Sequence, residues 1–235
     1  FAIALLDMKK NHLYIFRDRI GKKPLYWSYH NGHLLFASEL KSLLSTGIIP
    51  QTLADDALAS YLFFGYIPQD MTPIRNINKL LPGYYLRYNL DGQLEIQRYW
   101  SYSSCFLQCP TNVQEYRGKI PAKIETSVAS YMKETSSIGY SLLPSPSSDI
   151  LLPFLEPYSG KKDITAHSLL FEKESSLEEK KIPAFKDISI EQTACSSAKQ
   201  LLNNLPHILW HLDEPCSDIS SLSTLVEAFI NENHR

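Results

Sequence analysis

Few side chains in this sequence have the type and spacing that chemistry needs. Ser147 and Ser148 are adjacent hydroxyls. A serine nucleophile needs a histidine base beside it, and no paired His stands near them. His207 and His211 are four apart, so a helix would put them on one face, a spacing compatible with metal binding. No third ligand follows at a suitable distance, so a helix surface or cap is the favoured reading. Arg17-Asp18-Arg19 could clamp an anionic substrate. A salt-bridge cluster is favoured, because alternating charges on strands pair across a sheet. His30 and His33 flank a turn and read as surface residues. Cys105 and Cys109 are too far apart for a C-x-x-C redox pair, and no second ligand pair completes a zinc site.

The bulk composition narrows the class. The chain has 235 residues, enough for one large domain or two small ones. Its hydrophobic content of 44% and aromatic content of 11% are those of a globular protein with a real core. A net charge of -2 with scattered basic residues points away from nucleic acid and from an anionic membrane surface. No apolar run approaches the roughly 20 residues needed to span a bilayer. The four cysteines fit reduced thiols, and a cytoplasmic location is expected. No signal peptide is visible. The start Phe1-Ala2-Ile3-Ala4-Leu5-Leu6-Asp7 reads as a buried strand with no Met before it, so a fragment is expected.

The elements that must position these residues change character along the chain. Phe1 to Leu6, Leu13 to Phe16, Leu25 to Tyr29 and Leu34 to Ala37 read as strands of an antiparallel meander. Ser38 is placed to cap a short helix over Glu39 to Leu44. Asp55 to Phe64 reads as a helix ended by Gly65. Tyr84 to Tyr88 and Leu94 to Tyr99 form a hairpin around Asn89-Leu90-Asp91-Gly92. Ser101 to Asn112 is irregular and marks a boundary. Val113 to Met132 follows as an amphipathic helix, with Pro121 able to kink or restart it. Ile138 to Leu142 and Ile164 to Phe171 read as strands. Leu143 to Ser148 reads as a loop, and Asp149 to Leu155 as a helix interrupted at Pro153. Glu172 to Ile190 reads as a loop, and Cys195 to His211 and Ser220 to Asn231 as helices. Strand, helix, strand, helix is the start of a parallel α/β sheet.

Specific blocks then stand out. Arg17-Asp18-Arg19, Gly21, Lys23-Pro24-Leu25-Tyr26 and Phe36-Ala37-Ser38-Glu39-Leu40-Lys41 form one. Pro82-Gly83-Tyr84 and Tyr99-Trp100 form another. Together they resemble the glutamine-hydrolysing asparagine synthetases, over nearly all of Phe1 to Trp100. The resemblance implies an α+β then α/β chain. Residues 1–108 would be part of a class II glutamine amidotransferase domain, the second half of an N-terminal-nucleophile hydrolase sandwich. Residues 109–235 would be an incomplete, diverged parallel-sheet domain of the ATP-pyrophosphatase type. In the family the glutaminase nucleophile is an N-terminal Cys, activated by its own α-amino group. It and the glutamine-holding residues lie upstream of the position matching Phe1. The missing half of the sandwich implies an uncovered sheet edge beside Phe1, Ile3 and Leu5.

The second domain resembles the family more weakly. There a strand runs into an S-G-G-x-D-S loop, whose glycine N–H groups approach the pyrophosphate of ATP and whose Asp helps hold Mg²⁺. Here the matching loop reads Leu143-Pro144-Ser145-Pro146-Ser147-Ser148. Both glycines are gone, and Ser147 stands where the Asp belongs. Ile164 to Phe171 resembles the second strand, and His211-Leu212-Asp213-Glu214-Pro215 with Asp218 the D-E-P segment beside the nucleotide. The resemblance therefore implies ATP and Mg²⁺ as cofactors. It puts Leu142, Leu169, Ser147, Ser148 and Asp213 at the nucleotide, with no catalytic residue and no metal ligand intact. Glutamine, aspartate and ATP are the implied small-molecule partners, and a homodimer stays open. The leading reading is a truncated, inactive relative of these ligases. Its competitors are a non-catalytic remnant or interaction module, and an amidotransferase acting on another carboxylate.

Overall fold

A computed structural model describes residues 1–106, 113–133, 136–141, 146–171, 188–195 and 198–217. The chain divides into two compact units. One is Phe1–Pro110 with Leu209–Ser217, and the other is Thr111–Ile208 with Asp218–Arg235. Among the described residues no helix is long and apolar enough to cross a membrane.

The first unit is built from β1 (Ala2–Asp7), β2 (His12–Arg17), β3 (Tyr26–His30), β4 (His33–Ala37), α1 (Leu40–Leu44), α2 (Asp55–Phe64), β5 (Asn78–Lys79), β6 (Tyr84–Asn89), β7 (Leu94–Arg98) and α3 (Tyr102–Phe106). The strands form two antiparallel sheets, ordered β1-β2-β6-β7 and β4-β3-β5. Side chains alternate across a strand. Trp27 accordingly joins Ile15, Leu80 and Leu86 in one core cluster, while its neighbour Tyr26 joins Leu40, Leu43, Ile49 and Ile77 in another. The layers are therefore sheet, sheet and helix α1, the layered antiparallel arrangement with helices expected for this part.

Three local expectations are corrected here. The first four strands do not form one meander, because β2 pairs with β6 and β3 pairs with β5. Residues 18–25 carry the chain from one sheet to the other. That stretch holds Gly21 at φ +71°. It also holds Pro24, which has no N–H to give a ladder, so a tight hairpin cannot form there. Ser38 does not cap α1; Glu39 is the N-cap residue and makes no capping bond of its own. The irregular boundary also contains the short helix α3.

The edge strand β1 leaves Phe1, Ile3 and Leu5 57%, 47% and 52% exposed.

The second unit contains α4 (Val113–Met132), β8 (Ser137–Ser141), α5 (Pro146–Ser159), β9 (Asp163–Phe171), β10 (Ser189–Cys195) and α6 (Ala198–Leu212), whose last residues belong with the first unit. The three strands form a parallel sheet ordered β10-β9-β8. Ile138 pairs with Ile164 and Tyr140 with Ala166, so these four share one face. Met132 of α4 and Leu152 and Leu155 of α5 cover it. The expected parallel neighbours Ile138 to Leu142 and Ile164 to Phe171 are thus found, as β8 and β9.

Helix α5 departs from expectation. It opens at Pro146 and runs through Pro153 and Pro157. Proline suits the first helical position, where its missing N–H has no intrahelical partner to lose. Leu152 and Leu155, 2% and 5% exposed, hold the helix to the sheet across Pro153. Strand β10 falls where the sequence reads as loop and helix start. Its polar sequence shows no strand pattern, and seven residue pairs with β9 create it. The helix expected over Ser220 to Asn231 lies outside the described residues.

Candidate functional site

The block Arg17-Asp18 is a corner rather than a salt-bridge cluster. Arg17 spends its guanidinium on backbone carbonyls, donating to Lys23 O at 3.1 Å, Leu80 O at 2.6 Å and Gly21 O at 3.1 Å. Burial pulls its pKa down, against the pull of Tyr26, Asp18 and Glu214. Asp18 Oδ1 accepts from the N–H groups of Ile20 at 2.9 Å and Gly21 at 2.7 Å. Its Oδ2 accepts from Phe1 N at 2.8 Å. The hydrogen bond from Phe1 N, and after it those from the loop N–H groups of Ile20, Gly21 and Lys22, hold the Asp18 carboxyl well below its ordinary pKa, against burial. Arg19 is exposed. The Arg17 guanidinium and the Asp18 carboxylate are both engaged within the protein, so neither is free to clamp a substrate.

Gly83 completes this corner. Its N–H donates to Asp18 O at 2.9 Å, and its carbonyl accepts from Tyr99 N at 2.9 Å and Trp100 N at 3.1 Å. Tyr99 Oη donates to Arg17 O at 2.6 Å. A Cβ on residue 83 would lie 2.5 Å from Trp100 O, and φ is +74°. Glycine is required there for both reasons.

The carboxylates of the Asp-Glu-Pro segment are also engaged. Asp213 follows the end of α6 in the left-handed region, with φ +59°. Its Oδ2 accepts from Leu40 N at 3.0 Å, which supplies the capping bond that Ser38 was expected to make. Its Oδ1 lies 3.4 Å from Lys41 N and 3.5 Å from Lys41 Nζ. Lys41 Nζ also donates to Trp210 O at 3.1 Å. Glu214 Oε2 pairs with Lys79 Nζ at 2.9 Å, and Lys79 further donates to Ile67 O at 2.8 Å. Burial first, then the Glu214 carboxylate, pushes the Tyr26 hydroxyl far above its ordinary pKa. Ser217 N donates to Gly65 O at 2.8 Å, where Gly65 ends α2 at φ +77°.

The other expected nucleotide positions lie in other elements. Ser147 and Ser148 occupy the first turn of α5, and Leu169 lies in β9 paired with Thr193. All three belong to the second unit, whereas Asp213 belongs to the first. Leu142 lies outside the described residues. The open hollow of about 340 Å³ lined by His12, Arg87, Asn89, Gln93, Leu94 and Glu95 contains none of the expected positions. Among the described residues no group of three or more His, Cys, Asp or Glu gathers as a metal site. Sequence reasoning misses Lys41, Lys79, Tyr26 and Gly65 as partners of residues 213–217. They lie far away along the chain, and no local spacing marks them.

Residues 1–100 match the family model of the glutamine amidotransferase domain. Across 94% of its length the chain is 26% identical to asparagine synthetase (glutamine-hydrolyzing) 1 of Bacillus subtilis. It is 29% identical across 93% of its length to a putative asparagine synthetase (glutamine-hydrolyzing) of Mycobacterium tuberculosis. Over 43% of its length it is 32% identical to a putative asparagine synthetase (glutamine-hydrolyzing) 2 of Methanocaldococcus jannaschii. Along nearly its whole length the chain is thus similar to asparagine synthetases. It spans 35% and 34% of the Bacillus and Mycobacterium relatives. The amidotransferase match ends at Trp100, the residue that Gly83 ties back to Asp18.

Proposed function

We propose that this chain descends from a glutamine-dependent asparagine synthetase and has lost the ATP-dependent half of the reaction. Residues 1–108 are read as the amidotransferase part and residues 109–235 as a diverged beginning of the synthetase part. The ancestral reaction converts aspartate to asparagine with ATP and Mg²⁺, using ammonia from glutamine. On this reading the protein is cytoplasmic and its ancestral partners are small molecules. The observation that carries the loss is the segment after β8. It contains Pro144 and Pro146, and α5 begins at Pro146 with Ser147 and Ser148 in its first turn.

These residues do not fit ATP with Mg²⁺. A phosphate cradle needs consecutive N–H donors, and each proline removes one. A serine hydroxyl cannot supply the negative charge of a metal-binding carboxylate. Asp213, the acidic residue expected nearby, has its carboxylate bonded to Leu40 and Lys41. Loss of a single donor aimed at developing charge costs about 100- to 1,000-fold in rate. Several such losses together leave no measurable turnover.

The test supplies aspartate, ATP, Mg²⁺ and ammonia, so that glutamine hydrolysis is not needed, and measures pyrophosphate. No release above a boiled control is expected. Release that Asp213→Ala abolishes would show a working site and refute the proposal.

A further inference from the structure

We infer that residues 213–217 form a locking strap for the amidotransferase unit, with Asp213 and Glu214 as positioning residues whose carboxylates bind lysines rather than a nucleotide or a metal. Three attachments within five residues carry this. Glu214 is fastened to Lys79 on β5 at 2.9 Å. Asp213 is fastened to Lys41 Nζ at 3.5 Å and to Leu40 N at 3.0 Å. Ser217 N is fastened to Gly65 O at 2.8 Å. The anchor points belong to different elements, β5, α1 and the end of α2, so one segment holds three parts of the unit in register.

Each carboxylate of the strap meets a lysine, Lys41 also pairing with Glu39 at 3.4 Å. The side chains of Asp213, Glu214, Lys41 and Lys79 are only 10%, 15%, 20% and 16% exposed. Carboxylates withdrawn this far from water need a fixed cation. Lysine supplies it at both. Backbone shape agrees. Asp213 turns the chain in the left-handed region, where Asp is tolerated better than most residues. Pro215 then restricts the following turn. At position 65 any Cβ would collide with the Ser217 side chain, so glycine there admits the strap.

The strap does not depend on whether the chain has kept or lost activity. Its test uses the full chain and follows amide hydrogen exchange at Leu40 and Lys41, residues that are not themselves mutated. Glu214→Lys and Lys79→Glu should each speed exchange at those two amides by about tenfold or more, because charge-assisted bonds are the strong ones. The exchanged pair Lys79→Glu with Glu214→Lys should restore most of the protection. The amide of Leu86, in the core of β6, should stay protected throughout and reports that the unit remains folded. Glu214→Gln, which keeps size and removes only charge, should give a smaller change in the same direction. Adding ATP with Mg²⁺ should alter none of these rates. The inference is overturned if exchange at Leu40 and Lys41 is indifferent to Glu214→Gln and to the single reversals. It is equally overturned if the exchanged pair fails to restore protection while Leu86 stays protected, or if ATP with Mg²⁺ releases those amides in the unmutated chain.

Discussion

Gly83→Ala is the sharpest perturbation of the first unit. Two costs add at this position. An L-residue with a Cβ in the left-handed region costs about 1–2 kcal/mol. The new Cβ also sits 2.5 Å from Trp100 O, a backbone atom that cannot rotate away. Reaching ordinary contact at 3.4 Å requires a shift of about 0.9 Å. That shift strains the bonds from Tyr99 N and Trp100 N to Gly83 O, now 2.9 and 3.1 Å. Each such bond contributes about 0.5–1.5 kcal/mol net. The expected loss is therefore about 2–5 kcal/mol, a large part of the roughly 5–15 kcal/mol that holds a domain together.

Gly32→Ala isolates the first cost. Gly32 has φ +77°, and a Cβ there meets nothing within 4 Å. It should lose only the backbone part, about 1–2 kcal/mol. Urea unfolding followed by tryptophan fluorescence reads the difference. Trp27, Trp100 and Trp210 all lie in the first unit, so the signal reports that unit. Gly83→Ala should shift the midpoint further than Gly32→Ala at an unchanged slope. Equal shifts would refute the reasoning, since Pro82-Gly83 would then be turn chemistry alone and not a close approach to Trp100.

Two further outcomes follow from the same unit. The Asp18 carboxyl is held below its ordinary value of 3.8 in the fold. The stability it contributes is therefore present above about pH 4 and is lost as pH falls through the folded value. Unfolding midpoints of the unmutated chain and Asp18→Asn should differ at neutral pH and converge at the acid end; a gap that persists at the lowest pH contradicts the assignment. Ile3→Lys with Leu5→Lys places charge on the exposed β1 edge without touching the core, and should reduce self-association in sedimentation velocity. No change would mean that association runs through another surface.

What the sequence can reveal depends on how far each partner lies along the chain. Helix α2 and the β6–β7 hairpin are legible because their signals are local: an apolar run closed by Gly65, and an Asn-Leu-Asp-Gly turn between strands. Strands β8 and β9 are legible because two short apolar runs flank a helix. Strand β10 is not, because its sequence is polar and pairing with β9 makes it a strand. Ser38 reads as the cap of α1 because a local cap is the usual one, yet the bond comes from Asp213, 173 residues away. The same distinction separates the two readings of Asp213. Its family motif suggests a nucleotide site, and only the fold reveals Lys41 and Lys79 as the cations that engage Asp213 and Glu214. Arg17, Asp18 and Gly83 are recognisable by type for a related reason. Their hydrogen bonds go mostly to backbone atoms, which every sequence has, so the demand falls on the type of these residues and not on the side chains around them.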